Sequence, residues 1–460
     1  MLVFVLLLVT GMFLLFSSKQ AAFSPVRMFL YGWLIVLGTY LIGMVQYQRP
    51  LAVETFLLVG GSIGAFVLGA YIGRRRLKPT DRPFGQPRND VDRATLAGLC
   101  LLALIGVGMV ASELVGGGFE VITNFASQAG DIRNTYWEDF EAGGAAAGDA
   151  SPLRSVRFYG VVACLAVATL LPYATQQKRR GLQLIAVLAA AAVVLDGLLS
   201  AARFSIGVLA LCLLVSAALV YGGASMRKIF TLRRALLGGL IGFYFFVIFP
   251  AQRNPDVGRA AQASVARSGD ARIADWVTDT DASWLEVLAF STSYFSTALD
   301  KLNYFVTQTD VFSWYTLGAY NLPQLASGTW HQTRLDIADL MGRQGWAPNP
   351  WSTGIRDFGI DFGVYAILVV GVLGFLAQYV YDKSVASRTY AGLITATYVS
   401  VSCAIFAFIS PFQIRILGAG LLLLTVIALG HWAMGSGPHE QNSRGANRDD
   451  RVDARRLHRT

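Results

Sequence analysis

The sequence predicts an all-α polytopic integral membrane protein, and three features support this fold class. Hydrophobic residues make up 54% of the 460-residue chain and charged residues only 15%, a balance typical of membrane proteins. Eleven apolar runs follow one another, most of them near the ~17–25 residues that cross a bilayer as a helix. The basic residues gather in every second connection between these runs.

The apolar runs divide the chain into four parts. Residues 1–250 hold eight runs and an external segment at 113–155. Residues 251–361 form a long polar segment, residues 362–434 hold three more runs, and residues 435–460 form a polar tail that we expect to be disordered. The first run lacks a basic start and a cleavage site, so we interpret it as a retained span. The runs are Leu2–Phe16, Met28–Val45, Thr55–Ile72, Thr95–Ser112, Val156–Tyr173, Leu182–Ser200, Phe204–Tyr221, Ala235–Pro250, Phe362–Tyr381, Tyr390–Phe412 and Ile414–Met434.

The basic clusters predict the orientation of the chain. Arg74–Arg76, Lys178–Arg180, Arg227–Lys228, Lys383 and the Arg-rich tail all fall on one side when eleven spans alternate. The positive-inside rule assigns that side to the cytoplasm, which puts the N-terminus and the 251–361 segment outside. The net charge of +9 comes from these clusters, so no nucleic-acid partner is expected.

The long external segment has the composition of a folded unit. It carries six tryptophans, and segments this long without structure are uncommon unless they are functional. Ser291–Val306 predicts an amphipathic helix with Tyr294, Ala298, Leu302 and Phe305 on one face. Leu335–Leu340 indicates a second short helix, so we expect a helical subdomain lying on the membrane surface.

Known signatures of soluble catalysis are missing from the sequence. It has no phosphate-binding Gly-rich loop and no zinc-ligand spacing, and the four cysteines lie inside apolar runs. Asp279-Thr280-Asp281 comes nearest to a metal-binding triplet, but a solvated turn explains it better. We therefore expect neither a metal nor a cofactor.

Arginines at the external membrane boundary indicate an anionic ligand. Arg203, Arg253, Arg356 and Arg415 all fall at this depth on the predicted topology, where the positive-inside rule disfavours arginine. Each could instead bind lipid phosphate by extending to the interface. Four at one depth favour a shared ligand such as a diphosphate, because arginine binds phosphate through two parallel hydrogen bonds.

Three side chains are candidates for a general base. Asp361 and Asp357 are four residues apart and would share a helix face if a helix begins early enough. Asp361 could alternatively N-cap the helix that follows. His331, an external histidine, could act near neutral pH. The other external acids, which we expect to be mostly solvated, are Glu113, Glu286, Asp300, Asp336 and Asp339.

The order of these features resembles the Wzy-type oligosaccharide repeat unit polymerases, which are O-antigen and exopolysaccharide polymerases. The resemblance covers most of the chain as architecture. It is most specific at Ser200–Arg203, at Tyr294–Leu299 and at Asn349–Gly363. The last run matches the family pattern at Asn349, Thr353, Asp361, Phe362 and Gly363, whereas Tyr365 or Ala366 replaces its second glycine.

The resemblance implies a metal-independent glycosyltransferase of the GT-C type and a bacterial inner-membrane location. Such enzymes transfer a growing chain from undecaprenyl diphosphate to a hydroxyl of the next lipid-linked unit, at the periplasmic face. Their usual partners are a flippase and a chain-length co-polymerase. We expect Tyr294, Asn349, Trp351 and Thr353 to contact the sugar and the four arginines to contact the diphosphate.

Two other functions stay open at this point. An O-antigen ligase-type glycosyltransferase would share the architecture and differ in its acceptor. A polysaccharide or small-solute transporter would rely on charges inside the membrane and on symmetric halves.

Overall fold

The structure is a computed structural model. It describes residues 23–47, 49–74, 90–118, 152–199, 203–222, 271–280, 282–318, 320–321, 327–343, 353–412, 414 and 417–425. The predicted spans Leu2–Phe16 and Ala235–Pro250, most of Ile414–Met434 and the tail lie outside these residues.

The described part of the chain is mostly helical. Its helices, in chain order, are α1 Pro25–Ile42, α2 Val53–Gly73, α3 Asp90–Glu113, α4 Pro152–Ala168, α5 Leu171–Gln176, α6 Arg180–Leu199, α7 Arg203–Tyr221, α8 Asp275–Thr278, α9 Ser283–Gln308, α10 Ser327–Arg343, α11 Gly354–Phe362, α12 Ala366–Ser387 and α13 Tyr390–Ile405. Short 3-10 turns follow α9 at Val311–Ser313 and α11 at Gly363–Tyr365, and residues 417–425 are helical.

Many of these helices have the length and composition of membrane spans. Within the described residues, six candidates are long and apolar enough, and α13 and the Val156–Ala168 part of α4 are shorter apolar helices. An all-helical membrane fold is therefore supported, while the count of eleven spans stays a prediction. The six candidates are Pro25–Ile42, Val53–Gly73, Arg93–Gly116, Arg180–Leu199, Phe204–Tyr221 and Gly354–Ser387.

Two predicted spans are interrupted in the structure. Val156–Tyr173 breaks after Ala168, and a new short helix, α5, starts at Leu171 with a proline in its first turn. Tyr390–Phe412 is helical only to Ile405, and residues 406–412 form turns that contain Pro411. Apolar composition alone cannot reveal such breaks, because a buried turn can be as apolar as a helix.

Glycines allow α2 to pack closely along α12. A Cβ on Gly69 would overlap the carbonyl oxygen of Gly371, and one on Gly374 would overlap that of Phe66. Small residues of this kind let the backbones of membrane helices approach each other. Gly106 of α3 and Gly160 of α4 meet in the same way.

A two-stranded sheet ties the long segment to the first helices. β1 (Val45–Tyr47) pairs antiparallel with β2 (Ala271–Ile273). No sequence pattern predicts this sheet, because strands of three residues are too short to show an alternation of apolar and polar positions.

The helix predicted at Ser291–Val306 is confirmed and extends over Ser283–Gln308, as α9. Its predicted one-sided burial is wrong, since every residue from Ser296 to Phe305 is buried. The helix packs against α1 and α2, and Asn303 accepts hydrogen bonds from the Ala52 amide and the Thr55 hydroxyl, both at 2.8 Å. α9 is thus part of the core. The second predicted helix is also confirmed, within α10.

The connections between the helices form two groups, and each group lies at one end of the helices. Residues 43–55, 271–321, 354–362 and 406–412 meet at one end, which we call the loop end. At the other end, Arg179 donates a 2.6 Å hydrogen bond to Tyr390. This grouping is the one that the predicted alternation requires. The assignment of the loop end to the periplasm stays a prediction.

Candidate functional site

The candidate site is built around α11, which begins inside the protein. Thr353 is its N-cap, and the Thr353 hydroxyl accepts a 3.2 Å hydrogen bond from the Arg356 amide. The Gly354 amide donates to the Phe406 carbonyl at 2.8 Å, and a Cβ on Gly354 would come equally close to that oxygen. Glycine therefore allows α11 to start directly against the turn after α13. Thr353 has a structural role here, and its predicted sugar contact stays a prediction.

Arg356 and Asp357 form a buried ion pair. Arg356 donates to Asp357 Oδ1 from Nε at 3.0 Å and from Nη2 at 2.6 Å. Nη2 also reaches the Tyr320 hydroxyl at 3.4 Å, and the guanidinium carbon lies 5.4 Å from the centre of the Phe305 ring. The side-chain exposure of the pair is 2% and 0%. A guanidinium this far from water requires such a partner.

The second carboxylate oxygen of Asp357 supports the turn after α13. Oδ2 accepts a 2.9 Å hydrogen bond from the Ser410 amide. Residues 406–411 are buried and non-helical, and such backbone is tolerated within a membrane protein only when protein groups satisfy it. Asp357 thus satisfies a buried amide and the charge of Arg356 at once.

Asp361 holds the turn that precedes α10. Oδ1 accepts hydrogen bonds from the Thr316 hydroxyl and the Tyr320 amide, the latter at 3.0 Å. Oδ2 accepts from the Asn321 amide at 3.1 Å and from the Asn321 side chain at 2.6 Å. The prediction that Asp357 and Asp361 lie on one helix is confirmed. The alternative that Asp361 N-caps the next helix is wrong, because Tyr365 occupies the N-cap position of α12.

The turn held by Asp361 has an unusual backbone. Tyr315 and Leu317 have φ values of 48° and 53°, and Gly318 has 93°. Residues other than glycine rarely have positive φ values. A backbone strained in this way persists only where the surrounding structure holds it in place. The Leu317 amide bonds to the Asp361 carbonyl at 3.0 Å. The contacts with the end of α11 therefore stabilise the strained turn.

Sequence reasoning missed the importance of Asp300 and Lys301 on α9. Asp300 was expected to be solvated but is 7% exposed, and Lys301 is 2% exposed. Burial, followed by the nearby positive charge of Arg356, lowers the pKa of Lys301 to about 7, although Asp300 opposes the shift. The position of Lys301 in the sequence could have indicated its burial. Lys301 lies three residues after Ala298 and four before Phe305, on the buried side of the predicted helix.

A second charged group lies on α3, α4 and α6. Arg157 contacts Glu113 at 2.6 Å and Asp196 at 2.8 Å, and each side chain is between one fifth and one half exposed. Neither Arg157 nor Asp196 was singled out from the sequence. The arginine links three helices, so its evident role is to fix their packing.

The structure brings together Thr353, Arg356, Asp357 and Asp361 but leaves the other candidates undecided. Tyr294 is half-buried on α9, where its ring contacts Phe290 edge-on. Arg203 begins α7 and His331 lies in α10, but their side chains are outside the described part. Arg253, Arg415, Asn349 and Trp351 lie outside the described residues altogether. A single cleft containing all four arginines therefore stays a prediction.

Comparison with known proteins adds no further assignment. No protein-family model matches the chain, and no curated protein or solved structure matches it significantly.

Proposed function

We propose that this protein is a Wzy-type polymerase, which joins polyprenyl-diphosphate-linked oligosaccharide repeat units at the periplasmic face of a bacterial inner membrane. The observation that carries the proposal is the buried Arg356 at the loop end, where α11 and the tryptophan-rich segment meet the apolar helices. A lipid-linked donor and the sugar of a lipid-linked acceptor would both have to reach such a junction.

The reaction needs two functions from the protein. Oxygen of an acceptor hydroxyl forms a bond to the anomeric carbon as the bond from that carbon to the diphosphate breaks, and the hydroxyl proton must leave. Arginine can stabilise the diphosphate charge without losing its own proton. Arg356 can make room for a phosphate oxygen by giving up its contact with Tyr320, which at 3.4 Å is long for a hydrogen bond.

The test is deletion of the gene and complementation in its own host. If the proposal is right, the deletion strain makes single repeat units instead of long chains, and the wild-type gene restores the ladder of lengths on a gel. Arg356→Lys should fail to restore it, because lysine cannot bind through two parallel bonds. Arg343→Lys, which changes an exposed arginine, is the matched control.

Other outcomes would point to the alternatives. Long chains that accumulate without attachment to their final acceptor would indicate a ligase. Repeat units trapped on the cytoplasmic side would indicate a transporter. An unchanged polysaccharide in the deletion strain would rule the proposed function out.

A further inference from the structure

The apolar surface of α1 and α2 ends at the loop end of the molecule. α1 has 18 residues, which at 1.5 Å per residue span about 27 Å, close to the ~30 Å of hydrocarbon in a bilayer. Its last residue, Ile42, is still 60% exposed, and the helix stops at Gly43. α2 begins at the same end, where Val53 is exposed next to the charged and exposed Glu54. The boundary between hydrocarbon and water therefore passes close to Gly43 and Glu54.

Trp276 of α8 is held at this boundary by the end of α1. Its indole Nε1 donates a 3.4 Å hydrogen bond to the carbonyl of Gly43, the C-cap of α1. Carbonyls at the C-terminus of a helix have no partner within the helix, and near hydrocarbon they need one from elsewhere in the protein. The Ala274 amide donates to the Met44 carbonyl at 2.9 Å. Two hydrogen bonds thus fix the start of α8 at the level where α1 ends.

Trp284 lies near the same level, in the first turn of α9. Leu285, the next residue, and Met44 both pack on one small apolar cluster. Two turns further along α9, the Thr292 hydroxyl donates a 3.8 Å hydrogen bond to Met44 Sδ. The first turns of α9 therefore lie beside the end of α1. The cluster consists of Val45, Ala271, Ile273, Ala274, Val277 and Ala289.

Both indole rings present apolar surface that the protein does not cover. Trp276 is 46% exposed and Trp284 is 49% exposed, although tryptophan is highly buried on average in folded proteins. Leu41 and Ile42, which come directly before the Gly43 carbonyl, are exposed as well. The indoles thus continue the lipid-facing surface of α1. Tryptophan is enriched at this depth of membrane proteins, where its ring meets apolar chains and its N–H stays near polar groups.

Charged residues beside Trp276 limit how deeply it can enter the bilayer. Arg272 and Asp275 form an ion pair at 3.6 Å, and both side chains are exposed. Charges are costly inside hydrocarbon, so this pair has to remain among lipid headgroups or in water. The pair therefore keeps α8 at the level of the headgroups.

We propose that Trp276 and Trp284 insert into the headgroup region of the bilayer at the loop end and anchor the segment from residue 271 onward to the membrane surface. The occupant of this aromatic surface is phospholipid, because the surface adjoins the lipid-facing end of α1. This anchoring does not depend on the proposed function. It would keep the loop end at the depth where a lipid-linked substrate leaves the hydrocarbon.

The experiment measures depth with nitroxide spin labels on the full-length protein in liposomes of phosphatidylethanolamine and phosphatidylglycerol. Cys100→Ala first removes the one native cysteine that is not buried. Labels are then placed in Trp276→Cys and Trp284→Cys, each of which keeps the other tryptophan. Leu376→Cys, at an exposed apolar position of α12, is the lipid reference, and Asp339→Cys, at an exposed charged position, is the water reference.

Power saturation compares collisions of each label with oxygen, which concentrates in hydrocarbon, and with a water-soluble nickel chelate. The oxygen-to-nickel ratio at Trp276→Cys and Trp284→Cys should lie between the high ratio at Leu376→Cys and the low ratio at Asp339→Cys. Ratios equal to that of Asp339→Cys would overturn the proposal. If such labels also lost mobility when soluble repeat-unit oligosaccharide was added, the surface would bind sugar instead of lipid.

Tryptophan fluorescence gives a second measurement that needs no cysteine variants. Lipids that carry bromine near the headgroup quench indoles at that depth, and liposomes without bromine supply the reference emission. The quenched fraction should be larger in the wild-type protein than in the variant that combines Trp276→Phe with Trp284→Phe, because phenylalanine keeps an aromatic ring but does not contribute to the tryptophan emission. An equal quenched fraction in the two proteins would show that the indoles lie outside the headgroup region.

Discussion

The α2–α12 interface and the junction of α9 with α11 show two ways of building the interior of this protein. The first joins two apolar helices through Gly69, Gly371 and Gly374, so that backbone meets backbone. The second buries Lys301, Arg356, Asp357 and Asp361 among aromatic rings. The first gives close packing between two helices. The second joins α11 to the turn before α10 and to the turn after α13.

The difference lies in what each region tolerates. The glycines of the α2–α12 interface do not tolerate replacement, because any side chain would occupy space that backbone already fills. In a buried charge network, the loss of one partner is more damaging than a change in side-chain shape. The loss leaves the other charge buried and unsatisfied. Only the second arrangement includes groups that can gain, lose or exchange a proton. The junction is therefore the place to look for chemistry, and the helix interface is the place to look for stability.

Removal of Asp357 should have the largest effect. Asp357→Ala leaves Arg356 buried without its 2.6 Å partner and should lower the free energy of unfolding by about 3–5 kcal/mol. Unfolding in mixed detergent micelles measures this change. Asp339→Ala, which breaks an exposed pair with Arg343, is the control and should cost at most about 1 kcal/mol. Similar losses for the two variants would show that the junction pair contributes little.

A methyl group at Gly69 tests the other region. Gly69→Ala would push its Cβ into the Gly371 carbonyl, and overpacking of this kind costs about 1–3 kcal/mol. The loss should lie at the upper end, because the obstacle is backbone and cannot rotate away. Gly64→Ala on the same helix has nothing within 4 Å of the new Cβ and should leave the melting temperature unchanged or slightly raised. If Gly69→Ala and Gly64→Ala had the same melting temperature, the close packing of α2 against α12 would be contradicted.

Asp361→Asn should weaken the turn at 315–321. The asparagine amide would replace one carboxylate oxygen with a donor, facing the N–H groups of Asn321 or Tyr320. An unsatisfied buried donor costs about 1–3 kcal/mol. Protease accessibility of this turn in detergent-purified protein should rise together with the loss in melting temperature. If polymerisation disappears while protease accessibility and melting temperature both stay at wild-type values, Asp361 has a chemical role.

The smallest effect should come from the sheet that ties the long segment to α1. Tyr47→Phe removes a hydroxyl that lies 2.7 Å from Ser296 and 3.1 Å from Thr297, while its ring can still stack on Tyr40. We expect a loss of about 0.5–1.5 kcal/mol in unfolding free energy. Tyr365→Phe, at an exposed position, should change nothing measurable. A larger loss at Tyr365 than at Tyr47 would argue against the docking of α9 on β1.

The sequence predicts the helices of this fold well and the junction only in part. Apolar runs locate α1, α2 and α6 to within a few residues, because a membrane helix must be continuously apolar over its length. The end of α13 at Ile405 escapes this reasoning, since the buried turn that follows is apolar too. The pairing of Val45 with Ile273 depends on long-range contacts that a local pattern does not encode.

The site shows the same division. The short run from Arg356 to Asp361 was noticeable in sequence because charge next to an apolar stretch is rare. The residues that bond to this run cannot be recognised in the sequence. Asn321 and Ser410 are ordinary residues, and their amides reach Asp361 and Asp357 only once the chain has folded. Lys301 was passed over for a related reason, since a lysine on a helix is usually solvated.

The hydrogen bond from Ser410 to Asp357 has a consequence for how the protein is made. Ser410 follows Asp357 by 53 residues, so it leaves the ribosome after α11, α12 and α13 have already been synthesised. Until then the Asp357 carboxylate lacks one of its donors, and the Gly354 amide lacks the Phe406 carbonyl. The junction can therefore be completed only after residues 406–410 have been synthesised. A nascent chain arrested before residue 406 would expose an unfinished polar surface to membrane chaperones and quality-control proteases.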